Sequence, residues 1–90
     1  MKLLNTMLTK IIRTGTLEVV DAEGHVHRYA GTPQPFVRVK LHDPSLYRSL
    51  VWNPDLKAGE AYMDGTLTIE QGTLRDFLTL FAINRGVSRK

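Results

Sequence analysis

Along Phe36 to His42 side chains alternate, with Val37, Val39 and Leu41 pointing one way and Arg38, Lys40 and His42 the other. A period of two marks a strand half-buried in a sheet, and a sheet with one apolar face has to be covered by a second layer. Two further β-rich stretches, Thr16 to Val20 and His25 to Ala30, precede it. They are joined by Asp21-Ala22-Glu23-Gly24, whose glycine can take the positive φ that a hairpin closure needs. Gly31-Thr32-Pro33-Gln34-Pro35 then predicts an exposed loop, because each proline lacks the N–H that would extend a ladder.

The covering layer is written at both ends of the chain. Residues 2 to 13 place Leu3, Leu4, Met7, Leu8, Ile11 and Ile12 on one helical face, with Lys10 and Arg13 in the last turn and Gly15 to close it. Thr73 with Asp76 resembles a capping box, and Leu74, Phe77, Leu78 and Phe81 continue as an apolar stripe towards a stop at Gly86. Between them Asp43-Pro44 predicts a short helix, with Leu46, Tyr47, Leu50 and Val51 on its apolar side. Trp52 packs at its end and Asn53-Pro54 terminates it. Gly59 then falls in a turn, Gly65 in a left-handed junction, and Thr66 to Ile69 in a strand that buries Leu67 and Ile69. The element order is α-β-β-β-α-β-α, an α+β fold with an antiparallel-rich sheet covered by helices on one face. Residues 1 to 90 form one domain, with 86 to 90 as a linker or frayed end.

Ninety residues allow one core, and 42% hydrophobic with 23% charged residues is an ordinary globular balance. Cysteine is absent, which excludes disulfides and thiolate metal sites and suits a reducing cytoplasm. The N-terminal stretch is broken by Thr6, Thr9, Lys10 and Arg13, so it reads neither as a signal peptide nor as a membrane helix. A soluble cytoplasmic protein, or one peripheral on the inner membrane surface, is expected. The net charge of +3 permits phosphate-bearing partners without choosing among them.

Chemical motifs are sparse. The chain has no GxGxxG turn, no GxxxxGK[ST] loop and no G-x-S-x-G elbow, so no catalytic or cofactor-binding residue is expected. His25 and His27 have the spacing of a metal-ligand pair on one strand face, with His42 across the sheet, yet they read more simply as exposed strand residues, and no metal is assigned. Glu60 and Asp64, four apart, could act as an acid/base pair on a helical turn, but 90 residues leave little room for a pocket, and a structural or docking role is preferred. Arg28, Arg38 and Lys40, with Lys10 and Arg13 nearby, form either a solvated basic face or a patch for anionic lipid, where each cation contributes about 1 kcal/mol. Only Tyr29 and Phe36 interleave with these cations, which ranks nucleic acid third among partners.

Gly59-Glu60-Ala61-Tyr62-Met63-Asp64-Gly65 resembles the GE-[AS]-YMDG signature of the N-terminal domain of cyclopropane-fatty-acyl-phospholipid synthases. The similarity extends to Gly15-Thr16-Leu17, Asp21 to Gly24 and Tyr29-Ala30-Gly31, to Val37 through Leu50, and to Thr66 through Asn84, although Thr66-Leu67 stands where some members carry paired tryptophans. Residues 59 to 82 are also similar in plan to sterol carrier protein domains. The resemblance implies a non-catalytic domain that docks on a C-terminal methyltransferase domain and assists dimerisation or engagement of phospholipid. Catalysis and S-adenosylmethionine would belong to that other domain. Gly59, Glu60, Tyr62, Met63, Asp64 and Gly65 would lie at the docking surface. The alternatives are a stand-alone carrier of an apolar lipid and a small enzyme using Glu60 and Asp64. A carrier needs an enclosed cavity of roughly 300 Å³ or more.

Overall fold

A computed structural model describes residues 1–84, so the expected stop at Gly86 and the linker at 86–90 lie outside the described residues. Helix α1 (Lys2–Ile11) leads into strands β1 (Thr16–Val20), β2 (Val26–Ala30) and β3 (Phe36–Leu41). Helices α2 (Leu46–Trp52) and α3 (Pro54–Asp64) follow, then β4 (Leu67–Gln71) and α4 (Leu74–Asn84). The α+β class and the order of elements are those expected, with an additional helix, α3, between the second expected helix and the last strand.

The four strands form one sheet in the order β2-β1-β3-β4. Both β1–β2 and β3–β4 pair antiparallel, but β1–β3 is parallel, so the sheet is mixed. The parallel pairing follows from the proline loop. Ala30 and Phe36 both stand opposite Thr16, on its two sides, so residues 31 to 35 carry the chain across the start of β1 while reversing its direction, and β3, opposite in direction to β2, runs parallel to β1. Gly31 N–H donates to Gly15 O (2.9 Å) and Thr16 N–H to Pro35 O (2.8 Å), which ties this crossing to the strand it passes. β1 is thereby central, and all five of its residues are buried.

A single core holds the layers together. Leu17, Val19, Tyr29, Val37, Val39, Leu41 and Leu67 from the strands join Leu4, Leu8, Leu46, Leu50, Ala58, Ala61, Phe77, Leu80 and Phe81, so all four helices contribute to one cluster. The alternation in β3 is realised as expected, with Val37, Val39 and Leu41 buried. Tyr29 Oη donates to Asn5 Oδ1 (2.8 Å), pinning α1 to β2.

Several local expectations are corrected. α1 ends at Ile11, with Ile12 already extended, and Gly15 serves the entry to β1 instead of closing the helix. Leu3 is 64% exposed. The buried line of α1 runs through Leu4 and Leu8, and a neighbouring position is rotated by about 100° from it. α2 begins at Leu46, not at Asp43, because Asp43 O and Pro44 O accept from Leu46 and Tyr47 N–H in tight turns. The Asp43 carboxylate still accepts a free amide, that of Ser45 (2.9 Å). Trp52, expected to pack, is 82% exposed. α2 buries Leu46 and Leu50, and two residues beyond Leu50 the helix has turned by about 200°.

The largest correction concerns Gly59, which sits inside α3 and not in a turn. Pro54 ends α2 and starts α3 at once. Its missing N–H costs nothing at a first helical position, and the Asn53 side chain accepts from Leu56 N–H (3.3 Å). Tyr62, Met63 and Asp64 form the last turn of that helix, and Gly65 closes it at φ +83°. Gly65 is left-handed, as expected. α4 carries the expected reciprocal cap: Asp76 N–H donates to Thr73 Oγ1 (3.1 Å) and Thr73 N–H to Asp76 Oδ2 (3.0 Å).

Candidate functional site

Two surfaces carry unusual chemistry, and they arise from different elements. The first is the outer side of α3. Its buried positions are Ala58 and Ala61, small residues that let the helix lie close on the core. Larger side chains then fall on the outer side, leaving Leu56 52% exposed, Tyr62 44% and Met63 83%. Asp55, Leu56, Gly59, Glu60, Met63 and Asp64 line, with Leu74 of α4, an open groove of about 680 Å³. Of the residues expected at a docking surface, Gly59, Glu60, Met63 and Asp64 come together here. Tyr62 and Gly65 line an adjoining groove with Leu67, Ile69 and Leu74. Glu60 is paired with Lys57 (3.4 Å) on the exposed surface, and the groove that it shares with Asp64 is open, so the two carboxylates do not enclose a reaction chamber.

The second surface is the β1–β2 hairpin. Asp21 is buried, and its Oδ1 accepts from Glu23 N–H (3.0 Å) and His25 N–H (2.9 Å). Its Oδ2 lies 2.8 Å from His27 Nε2 and 3.6 Å from His25 Nδ1. Hydrogen bonding from His27 and from the two amides outweighs burial and holds the Asp21 carboxyl at a pKa of about 2. Tyr47 Oη accepts from Ala22 N–H (2.8 Å), so α2 fixes the loop from below. His42, grouped with these histidines as a third imidazole, contacts Thr68 Oγ1 (2.9 Å) on β4 at the other edge of the sheet.

The expected basic patch is different in kind from what its cations suggest. Arg28 and Arg38 flank Glu18 on the sheet face turned away from the core, at 2.7 Å and 3.3 Å, and Arg38 also reaches Glu70 at 3.1 Å. Two arginines are thus balanced by two glutamates, with Glu18 largely buried between them. Lys40 shares the face, but the group as a whole offers little net field for an anionic surface. The sequence signal overlooked was Glu18 itself, the single charged residue of β1, opposite Arg28 on one side and Arg38 on the other.

A third feature was not expected at all. Met1, Leu3, Tyr47 and Trp52 line a groove of about 640 Å³ with Lys2 and Arg48, and no acidic side chain among the described residues lines it. No helix among the described residues is long and apolar enough to cross a membrane.

The fold and its surfaces define a small mixed-sheet domain, covered by helices on one side and carrying its unusual groups on open surfaces. The family model described as "Domain of unknown function (DUF7884)" matches residues 3–87, and the chain belongs to that family. No curated protein and no solved structure gives a significant match.

Proposed function

We propose that this domain is a non-catalytic accessory module of a lipid-modifying methyltransferase similar to the cyclopropane-fatty-acyl-phospholipid synthases. It docks through α3 on a catalytic domain that binds S-adenosylmethionine. The observation that carries the reading is the coincidence of Leu56 and Met63, both more than half exposed, with the segment from Gly59 to Gly65 that bears the synthase-like signature. Apolar surface left in water costs about 25 cal/mol per Å², so a helix with this outer side is stabilised by a partner that covers it. Glu60 and Asp64 on the rim of the groove would set orientation more than affinity.

The test is binding of this chain to a separately produced synthase-type catalytic domain, followed by calorimetry. Leu56→Glu combined with Met63→Glu should abolish association while the circular dichroism spectrum stays that of the wild type. Unchanged binding of the double variant would overturn the reading.

A contribution to phospholipid engagement is favoured by a separate observation, the groove of Leu3, Tyr47 and Trp52 beside Lys2 and Arg48. An exposed indole with neighbouring cations suits the interface of an anionic bilayer. Trp52 is the chain's only tryptophan, so its emission reports on this groove alone. A blue shift with anionic vesicles, weakened by salt, is expected; constant emission would remove this part of the function. A stand-alone lipid carrier is less well supported, because the grooves described open to solvent and the core is filled by side chains.

A further inference from the structure

We propose that the β1–β2 hairpin is a binding site for a divalent transition metal of the zinc type, with Asp21, Glu23 and His25 as ligands and His27 as the residue that positions Asp21. The three ligands occupy alternate positions of one tight loop, and their donor atoms all lie within 4.8 Å of one another. His25 Nδ1 is 3.6 Å from Asp21 Oδ2 and 3.8 Å from Glu23 Oε1. Around an ion held at 2.0–2.1 Å in tetrahedral geometry, neighbouring donors are roughly 3.3 Å apart, so the loop needs only a small contraction to close on one. Glu23 and His25 are exposed and can make that adjustment without disturbing packing.

The fixed member of the set is Asp21. Both backbone N–H groups on its Oδ1 come from the loop that carries the other ligands, and His27 Nε2 lies against Oδ2, whose second lone pair remains for a further partner. An outer-shell hydrogen bond of this kind fixes the direction of a ligating carboxylate. Two carboxylates and one neutral imidazole neutralise a divalent cation, and the nitrogen donor favours zinc-type ions over magnesium. Three protein ligands leave a fourth position for water or an external group. The site is remote from the α3 groove in the chain and does not depend on the docking reading.

Titration of the whole chain with Zn²⁺ and with Co²⁺ tests the proposal. Zn²⁺ should bind one to one in the micromolar range, Co²⁺ should give the visible absorption of a low-coordinate site, and Mg²⁺ should not compete. Glu23→Ala and His25→Ala should each weaken Zn²⁺ at least about tenfold, and His27→Gln by about the same factor through Asp21. His42→Ala should leave affinity unchanged. Circular dichroism of Glu23→Ala and His25→Ala, both surface changes, should be that of the wild type. Absence of Zn²⁺ binding at millimolar concentration, wild-type affinity in both of these variants, or loss of binding in His42→Ala would each overturn the site.

Discussion

Gly15 and Gly65 have the same backbone angle, φ +83°, and opposite surroundings. A β-carbon on Gly15 would collide with the Leu80 side chain and stand 2.9 Å from Pro35 O, whereas one on Gly65 would meet nothing within 4 Å. At the Gly15 corner the chain is also stitched by Asn84, whose Oδ1 accepts from Arg13 N–H (2.7 Å) and Thr14 N–H (2.8 Å) and whose amide donates to Thr14 O (2.9 Å). At Gly65 the only demand is the angle itself, set by the end of α3. The first corner is locked where three parts of the chain meet, residues 13 to 15, the proline loop and α4; the second is a local turn beside a surface left open for contact.

Gly15→Ala breaks this comparison most severely. It combines a left-handed penalty of about 1–2 kcal/mol with overpacking of about 1–3 kcal/mol, and should lower the melting temperature by about 10 °C or more. Gly65→Ala has only the first cost and should lower it by about 5 °C, with Gly65→Asn milder still. Equal shifts at the two glycines in thermal denaturation would show that the crowding at Gly15 is relieved without cost.

The hairpin corner at Gly24, φ +91°, sharpens the contrast, because there the loop is held by a carboxylate. The folded state lowers the Asp21 pKa from 3.8 to about 2, so the stability it contributes is fully present above the unfolded value and is lost as the pH falls from about 4 towards 2. Melting temperatures measured across that range should fall more for the wild type than for Asp21→Asn. Parallel curves would mean that the Asp21 contacts do not persist in solution.

The smallest effect on stability is expected beside Gly65. Leu56→Ser with Met63→Ser changes side chains already facing solvent and should shift unfolding by no more than about 0.5 kcal/mol in denaturant titration. A large destabilisation would place these residues in the core and remove the open surface from the comparison.

Local sequence was enough wherever structure depends on neighbours along the chain. The strand alternation from Val37 to Leu41, the hairpin with its glycine, the Thr73–Asp76 cap and the left-handed Gly65 are all set by interactions spanning a few residues. The conformation of Gly59 to Asp64 was not legible in this way. A helix continues through Gly59 because Asn53 and Pro54 begin it and Ala58 and Ala61 pack beneath it.

What the tertiary structure alone decided are relations between distant segments. The passage of residues 31 to 35 beside Gly15 makes β1 central and its pairing with β3 parallel, which brings Glu18 between Arg28 and Arg38 and turns a run of cations into a balanced network. The alternating Asp21, Glu23, His25 and His27 were present in the sequence. Their convergence required the buried carboxylate, held by the loop's own amides above the Tyr47 hydroxyl. Helical periodicity likewise placed Leu3 with the apolar residues of α1, and Trp52 was expected to pack at the end of α2. Which residues a helix buries is settled by where its neighbours stand, and here they cover Leu4, Leu8, Leu46 and Leu50 and leave Leu3 and Trp52 in water.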